Sequence, residues 1–390
     1  MAPPSTPWRT LDGVPTAWFG APSLVAGAAA AAAVTGSRPE AVVDVRATGV
    51  RVRLPDGPDD GSVSDAVRGA GLEPDPSVLQ QVRVVWETAD TGALVAFWSG
   101  VLGYDVAADV LRDPLRRDPD LLLRPATEHR PLRGRLHLDV VRPTAVVERV
   151  RPGSPAGPYA VRHADPDGNE VDLVAGDPLG DDPATADWCT VFSAIACYRV
   201  RSTAQQQDLA GNVARLAHEA GFPLQVDLRP GLVVLDSGKD RWEADAHGLP
   251  LDFVDLAAGL QTTARGSGAA VEPDLPRFAQ LFLDAVDVVA VRAFWQAALR
   301  YEPDRREGVT DLHDPRGLGP TLVLQDMDPA ETDRRRQRDR GHVELLVPAE
   351  AAEARVRAAL ESGGRLLAQG DGRRLVADPE GNELAVVEEP

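Results

Sequence analysis

Residues 164–174 read ADPDGNEVDLV, and residues 377–387 read ADPEGNELAVV. In Asp-Pro-Asp-Gly and Asp-Pro-Glu-Gly the aspartate side chain can cap the turn, proline presets φ at the second position, and glycine suits the fourth. Each run therefore predicts a tight turn. Beyond Asn169 and Asn382 the residues alternate. Val171 and Leu173, then Leu384 and Val386, face one side; Glu170 and Asp172, then Glu383 and Ala385, face the other. Each copy is a turn feeding a strand with one packed face and one polar face.

The copying extends upstream. TGALVAFWSGVLGY from Thr91 parallels VVAVRAFWQAALRY from Val288, and RLHLDVVRP from Arg135 parallels GHVELLVP from Gly341. DPLRRDPDLLLR from Asp113 aligns without gaps on DPRGLGPTLVLQ from Asp314, and VVDVRATGVRVRL from Val42 resembles QVDLRPGLVVL from Gln225. The offset grows from roughly 180 to roughly 210 residues, too long for a solenoid and suited to a tandem pair of domains. Leu94, Phe97, Trp98 and Leu102 stand at helical spacing after the alternating strand QVRVVWETAD. Helices are also predicted at 64–69, 208–220, 251–265 and 349–362, and through the Ala-rich run from Ala26. WCTVFSAIACYRV, from Trp188, reads as one strand.

A chain of 390 residues suits two to four small domains. No run approaches the roughly 18 to 20 apolar residues a membrane span needs. A formal charge of −19 argues against nucleic acid or an anionic membrane as partner. The most basic run, ETDRRRQRDR from Glu331, reads as a solvated loop. Cys189 and Cys197 are the only cysteines, which leaves no disulfide framework or cysteine zinc site and points to a reducing, cytoplasmic setting.

On these residues the chain resembles two families. The strand ending at Asp90 or Asp287, the Phe-Trp helix, the strand starting at His137 or His342 and the D-P-x-G-N strand resemble vicinal-oxygen-chelate domains. These form the glyoxalase and bleomycin-resistance superfamily, built from paired βαβββ units. The segments carrying DVRATGVRVRL, DLRPGLVVL and PLDFVDLAAGLQTTARGSG resemble pterin carbinolamine dehydratase domains. The implied fold class is α+β: two tandem copies of a dehydratase-like α/β sandwich followed by a paired βαβββ domain. The implied boundaries are 8–78 and 187–276 for the dehydratase-like domains, 79–176 and 277–388 for the glyoxalase-like ones, and 177–186 for an acidic linker. Internal pairing of the glyoxalase-like domains makes a monomer the expected state.

The dehydratase resemblance implies histidines whose near-neutral pKa suits acid–base dehydration. Here their places hold SRPEAVVDVR and AGFPLQVDLR, then LPDG and LDSG, with no histidine. The glyoxalase resemblance implies a divalent metal (Zn, Ni, Mn or Fe) held from the first, fifth and eighth strands. The matching positions within each copy are Arg83, His137 and Asp172, then Gln280, His342 and Ala385. Alternation adds Glu87, Asp139 and Glu170 to the first inward face, and Asp284, Glu344 and Glu383 to the second. Arg83 is a permanent cation where a ligand belongs, and Ala385 has no donor atom. Only one histidine per copy is in position, which excludes a two-His-one-carboxylate iron site within either domain. Arg83, His137, Glu170 and Asp172 are therefore read as a ligand-binding set suited to a carboxylate or phenolate. Gln280, His342 and Glu383 are read as the metal set, with Glu383 displaced by about 6–7 Å along its strand. Three functions stay open: a metal-free small-molecule-binding protein, a metal-dependent glyoxalase-type lyase or isomerase, and a pterin dehydratase with replaced acid–base groups.

Overall fold

A computed structural model describes residues 6–128 and 130–389. The chain divides into two compact units, one joining residues up to Leu79 to Gly176–Pro276, the other joining Gln80–Ala175 to Arg277–Glu389. Among the described residues no helix is long and apolar enough to cross a membrane.

The first unit uses one plan twice: strand, helix, two strands, helix. It runs as Val14–Gly20, Leu24–Ser37, Val42–Arg46, Gly49–Arg53 and Ser62–Gly69. It recurs as Ala194–Arg199, Thr203–Glu219, Gln225–Arg229, Leu232–Asp236 and Phe253–Gly266. The Ala-rich segment is a helix, capped by Ser23, whose Oγ accepts from the Ala26 amide at 3.2 Å. The two strand sets meet where residues 226–228 run antiparallel to 43–45, which sets Asp227 opposite Asp44. Alternation turns Val43, Val45, Val226 and Leu228 into the apolar core and both aspartates to the other face. Arg46 there donates to Asp227 at 2.5 Å, and Arg229 and Arg51 donate to Asp44 at 2.6 and 2.7 Å.

One expectation is corrected here. The run from Trp188 is two antiparallel strands, Cys189–Thr190 and Ala194–Arg199. Phe192, between them, has a left-handed φ of 62°, and Ser193 is drawn out of the run by bonds to Asp236 and Ser237.

In the second unit both sheets are hybrids. Gln81–Thr88, Asp105–Ala107, Val110–Arg112 and Asp120–Pro125 join Gly341–Pro348, Arg365–Gly370, Arg373–Ala377 and Glu383–Glu389 in one eight-stranded sheet. Leu136–Pro143, Arg162–Ala164 and Glu170–Pro178 share the other with Phe278–Ala285, Glu302–Pro303, Leu312–His313 and Leu322–Asp326. At the first seam Gly341 lies opposite Trp86, and a Cβ at Gly341 would stand 1.8 Å from the Trp86 ring, so only glycine fits that approach.

The two opening turns form as their chemistry predicts. Asp165 Oδ1 accepts from the amides of Asp167 and Asn169, both at 2.9 Å, and Gly168 has φ 84°. Asp378 does the same for Glu380 and Asn382, with Gly381 at 90°. The second oxygen of each carboxylate takes an indole N–H from the Phe-Trp helices: Trp98 to Asp165 at 2.8 Å and Trp295 to Asp378 at 3.0 Å. Turn and helix are one device.

Candidate functional site

Two polar basins lie on the faces turned away from the apolar core. In the first, antiparallel pairing sets His137 opposite Phe282 and Asp139 opposite Gln280, while Leu136, Leu138, Leu281 and Leu283 enter the core. Opposed residues share a face. The strand Glu170–Pro178, paired to Leu136–Pro143, brings Glu170 and Asp172. One donor atom from each of His137, Asp139 and Asp172 lies within 4.8 Å of the other two. Gln280 Nε2 donates to Asp139 at 3.3 Å, and the Phe282 ring stacks on His137 with centroids 5.1 Å apart.

Among the described residues, buried His137 Nδ1 and Gln280 Oε1 have no hydrogen-bond partner. Leaving a buried polar atom unmade costs roughly 1–3 kcal/mol, so each of these two atoms calls for a partner, an ordered water or a ligand. Burial, helped by the charge of Arg133, pushes His137 down to about 4, leaving a neutral imidazole at physiological pH. Burial and the neighbouring Glu170 push the Asp172 carboxyl upward. Glu170 is held by Arg133 at 2.7 Å and faces Arg162 at 3.5 Å. A neutral imidazole, two carboxylates and an amide oxygen form a donor set that fits a divalent cation.

The second basin lies along Gln81–Thr88 and Gly341–Pro348, where Arg83 stands opposite Glu344 and His342 opposite Val85. Arg83 Nε donates to Glu344 at 2.8 Å, and Arg373 Nη2 lies 2.9 Å from His342 Nε2. Arg338 forks onto Glu87, with both bonds at 2.8 Å, and onto Glu383 at 2.7 and 2.8 Å. Arg130 adds a bond to Glu87 at 2.5 Å. Burial opposes charge on Glu87 and Glu344, yet Arg338 and Arg130 at Glu87, and His342, Arg83 and Arg124 at Glu344, hold each carboxyl down at about 2.

The basins recombine the residues expected from each copy. Arg83 is not beside His137, Glu170 and Asp172; it shares a sheet with His342 and Glu383. Gln280 is not beside His342 and Glu383; it stands against Asp139, on the face of His137, Glu170 and Asp172. Strand pairing is the cause, because each sheet takes its early strands from one copy and its late strands from the other.

The basic run from Glu331 is a second correction. It contains the short helix Thr332–Arg336, and Arg334, Asp339 and Arg340 are buried. Arg334 bonds Asp284, Arg338 bonds Glu87 and Glu383, and Arg340 bonds Asn169 at 3.0 Å. The signal that could have found them is electrostatic: inward carboxylates at Glu87, Asp284 and Glu383 require cations their own strands do not supply.

Residues 83–181 and 280–387 each match the sequence model of the glyoxalase-like domain family. No curated protein matches the chain by sequence. Among solved structures, glyoxalase I from Zea mays is similar at 12% identity and TM-score 0.37, covering 79% of this chain and 93% of that one. A glyoxalase/bleomycin resistance protein from Albidiferax ferrireducens is similar at 15% identity and TM-score 0.22, covering 28% and 95%. A glyoxalase/bleomycin resistance protein/dioxygenase family enzyme from Burkholderia phytofirmans is similar at 17% identity and TM-score 0.22, covering 27% and 92%.

Proposed function

The chain belongs to the glyoxalase-like domain family, and we propose that its basin of His137, Asp139, Asp172 and Gln280 holds one divalent metal ion and an oxygen-bearing small molecule beside it, for chemistry of the lyase or isomerase type. The observation that carries this reading is the convergence of three ligand side chains within 4.8 Å beside two orphaned polar atoms, His137 Nδ1 and Gln280 Oε1. A bound divalent ion supplies Lewis-acid polarisation of a carbonyl or hydroxyl oxygen. Phe282, stacked on His137, fixes the imidazole plane, and the Gln280 amide holds Asp139. Glu170, on the same face as Asp172 and about 6–7 Å along the strand, is placed to take a proton from a ligand in the basin. Arg133 and Arg162 orient that carboxylate.

Elemental analysis of untagged protein tests this. About one equivalent of Zn, Ni, Mn or Fe per chain is expected. His137→Ala and Asp172→Ala should each lower affinity by more than the roughly 10–100-fold that loss of an outer-shell partner costs, while His342→Ala should leave it unchanged. Metal lost in His342→Ala and kept in His137→Ala would assign the ion to the other sheet. Absence of metal would leave a metal-free binding protein.

The segments 8–78 and 187–276 are read as pterin dehydratase-like domains of a tandem duplication, with 177–186 between the copies. Support comes from the recurrence of strand, helix, two strands, helix in both. Because no histidine stands at the family's acid–base positions, carbinolamine dehydration is expected at its spontaneous rate. An acceleration of about 100-fold or more, typical of placed acid–base groups, would restore a catalytic role to this unit.

A further inference from the structure

The eight-stranded sheet leaves one edge open. Its outermost strand, Arg365–Gly370, pairs on one side with Arg373–Ala377, and among the described residues no strand covers the other side. All six of its residues are exposed. A bare edge offers a row of backbone N–H and C=O groups to any chain that can lie beside it, and proteins ordinarily guard it with proline, charge or shortness. The opposite edge is guarded: Asp105–Ala107 has three residues and opens on an aspartate. Arg365–Gly370 has six residues, no proline and one charge, at its first position.

This edge is also apolar on its core side. Leu366 stands opposite Val376, a core residue, so the two share a face. The register shifts between Leu366 and Ala368, which makes Leu367 the extra residue of a β-bulge. A bulge can blunt an edge, but this one adds a leucine to it. Leu366 and Leu367 are 45% and 44% exposed. The helix Ala349–Glu361 packs against the strand and sends Val356 and Ala359 into the same core, and its Leu360 is 37% exposed. Three large apolar side chains therefore stand at one rim of the core.

The charges at the two ends of the strand decide what fits it. Arg365 opens the strand and Asp371 follows its last residue, and both are exposed. Laid antiparallel to its own copy across a two-fold axis at Leu367 and Ala368, the strand brings Arg365 of each copy to Gly370 and Asp371 of the other. Two opposite-charge pairs then close the ends, with the leucines at the centre. A parallel copy would set arginine beside arginine. We propose that Arg365–Gly370 is a homodimer interface, in which the eight-stranded sheets of two copies join edge to edge. The contact is small for a specific interface, so a dissociation constant in the micromolar range is expected. This dimer replaces the monomer expected from internal pairing.

Sedimentation velocity of the full chain between about 1 and 200 µM tests the interface, with a reversible, concentration-dependent dimer as the expected result. Leu367→Lys, which puts a guarding charge on the edge, should weaken association about tenfold or more. Arg365→Asp sets two acids together at each end, and Asp371→Arg sets two arginines together, so each alone should weaken association about tenfold or more. An equimolar mixture of the Arg365→Asp chain with the Asp371→Arg chain makes opposite pairs at both ends again and should associate as tightly as the wild type. Far-UV circular dichroism serves as the folding control. Leu367 is exposed outside the core, so its variant carries the test if either charge variant fails to fold. A chain that stays monomeric up to about 200 µM, a dimer that Leu367→Lys leaves unchanged, or a mixture no tighter than its two components would overturn the proposal. Neither polar basin takes part, so failure here leaves the metal reading standing.

Discussion

Replacing Asp44 with alanine is expected to destabilise the chain by about 3–5 kcal/mol, the usual cost of leaving buried charges without their partner. Asp44 is fully buried and faces Arg229 at 2.6 Å, Arg51 at 2.7 Å and Arg53 at 3.5 Å. Burial alone would raise its pKa, but Arg229, Arg51, Arg53 and Arg46 together hold the carboxyl well below the usual range. Its counterpart across the seam, Asp227, faces Arg46 at 2.5 Å and Arg229 at 3.7 Å. The difference comes from one register position. Arg51 stands opposite Asp44, whereas Val234 stands opposite Asp227. Asp44→Ala should therefore cost more than Asp227→Ala. Urea unfolding followed by circular dichroism measures both, and an equal or smaller loss for Asp44→Ala would mean that cation number does not set the strength of this seam. At roughly 2–4 °C per kcal/mol for a unit of this size, the shift in Tm should be on the order of 10 °C.

Acid should destabilise the two-sheet unit steeply below about pH 4.5. The folded pKa of Glu344 is depressed to about 2, against about 4.3 for an unfolded glutamate. A depressed carboxyl contributes stability that is present above its unfolded pKa and lost as pH falls through the folded value. For Glu344 this amounts to about 3 kcal/mol. Glu87, also held at about 2, adds in the same direction, less strongly because it is more exposed. Asp118 runs the other way. Burial and Asp113 push it up to about 6, so the folded state takes up its proton first, and its contribution improves as pH falls from about 6 toward 4. His137, held at about 4 against about 6.5 unfolded, loses stability over the same range and offsets that gain, so the net expectation is a nearly flat limb and then a sharp loss. Glu344→Gln should flatten the limb below about pH 4.5. Identical slopes for wild type and Glu344→Gln between about pH 5 and 3 would remove Glu344 as the cause.

Much of the local structure could be read from residue chemistry. The Asp-Pro-x-Gly turns, the Phe-Trp helices and the inward sets from Glu170 and Glu383 follow from turn preferences and from periods of 3.6 and 2.0. What residue chemistry could not decide is which strand pairs with which. The early strands of both copies alternate apolar and polar in the same way, so Gln81–Thr88 fits Gly341–Pro348 as well as it fits Leu136–Pro143 by pattern alone. Choosing the nearer partner in sequence put Arg83 with His137; the folded pairing puts Gln280 there. The chemistry attached to Arg83 and Gln280 survives that exchange, and their histidines change places. The basic run from Glu331 was opaque for another reason. Its charges look solvated until the carboxylates they meet are placed beside them, and those lie up to 251 residues away, as in Arg338 with Glu87.

That run also fixes where the chain can change length. Connections between strands are ordinarily where insertions accumulate. Here, from Arg334 to Arg340, successive arginines reach Asp284, then Glu87 and Glu383, then the backbone of Gly168 beside Asn169. One added or deleted residue would carry every arginine beyond it away from its partner. The segment that most resembles a tolerant loop is therefore a fixed-length ruler between the two sheets.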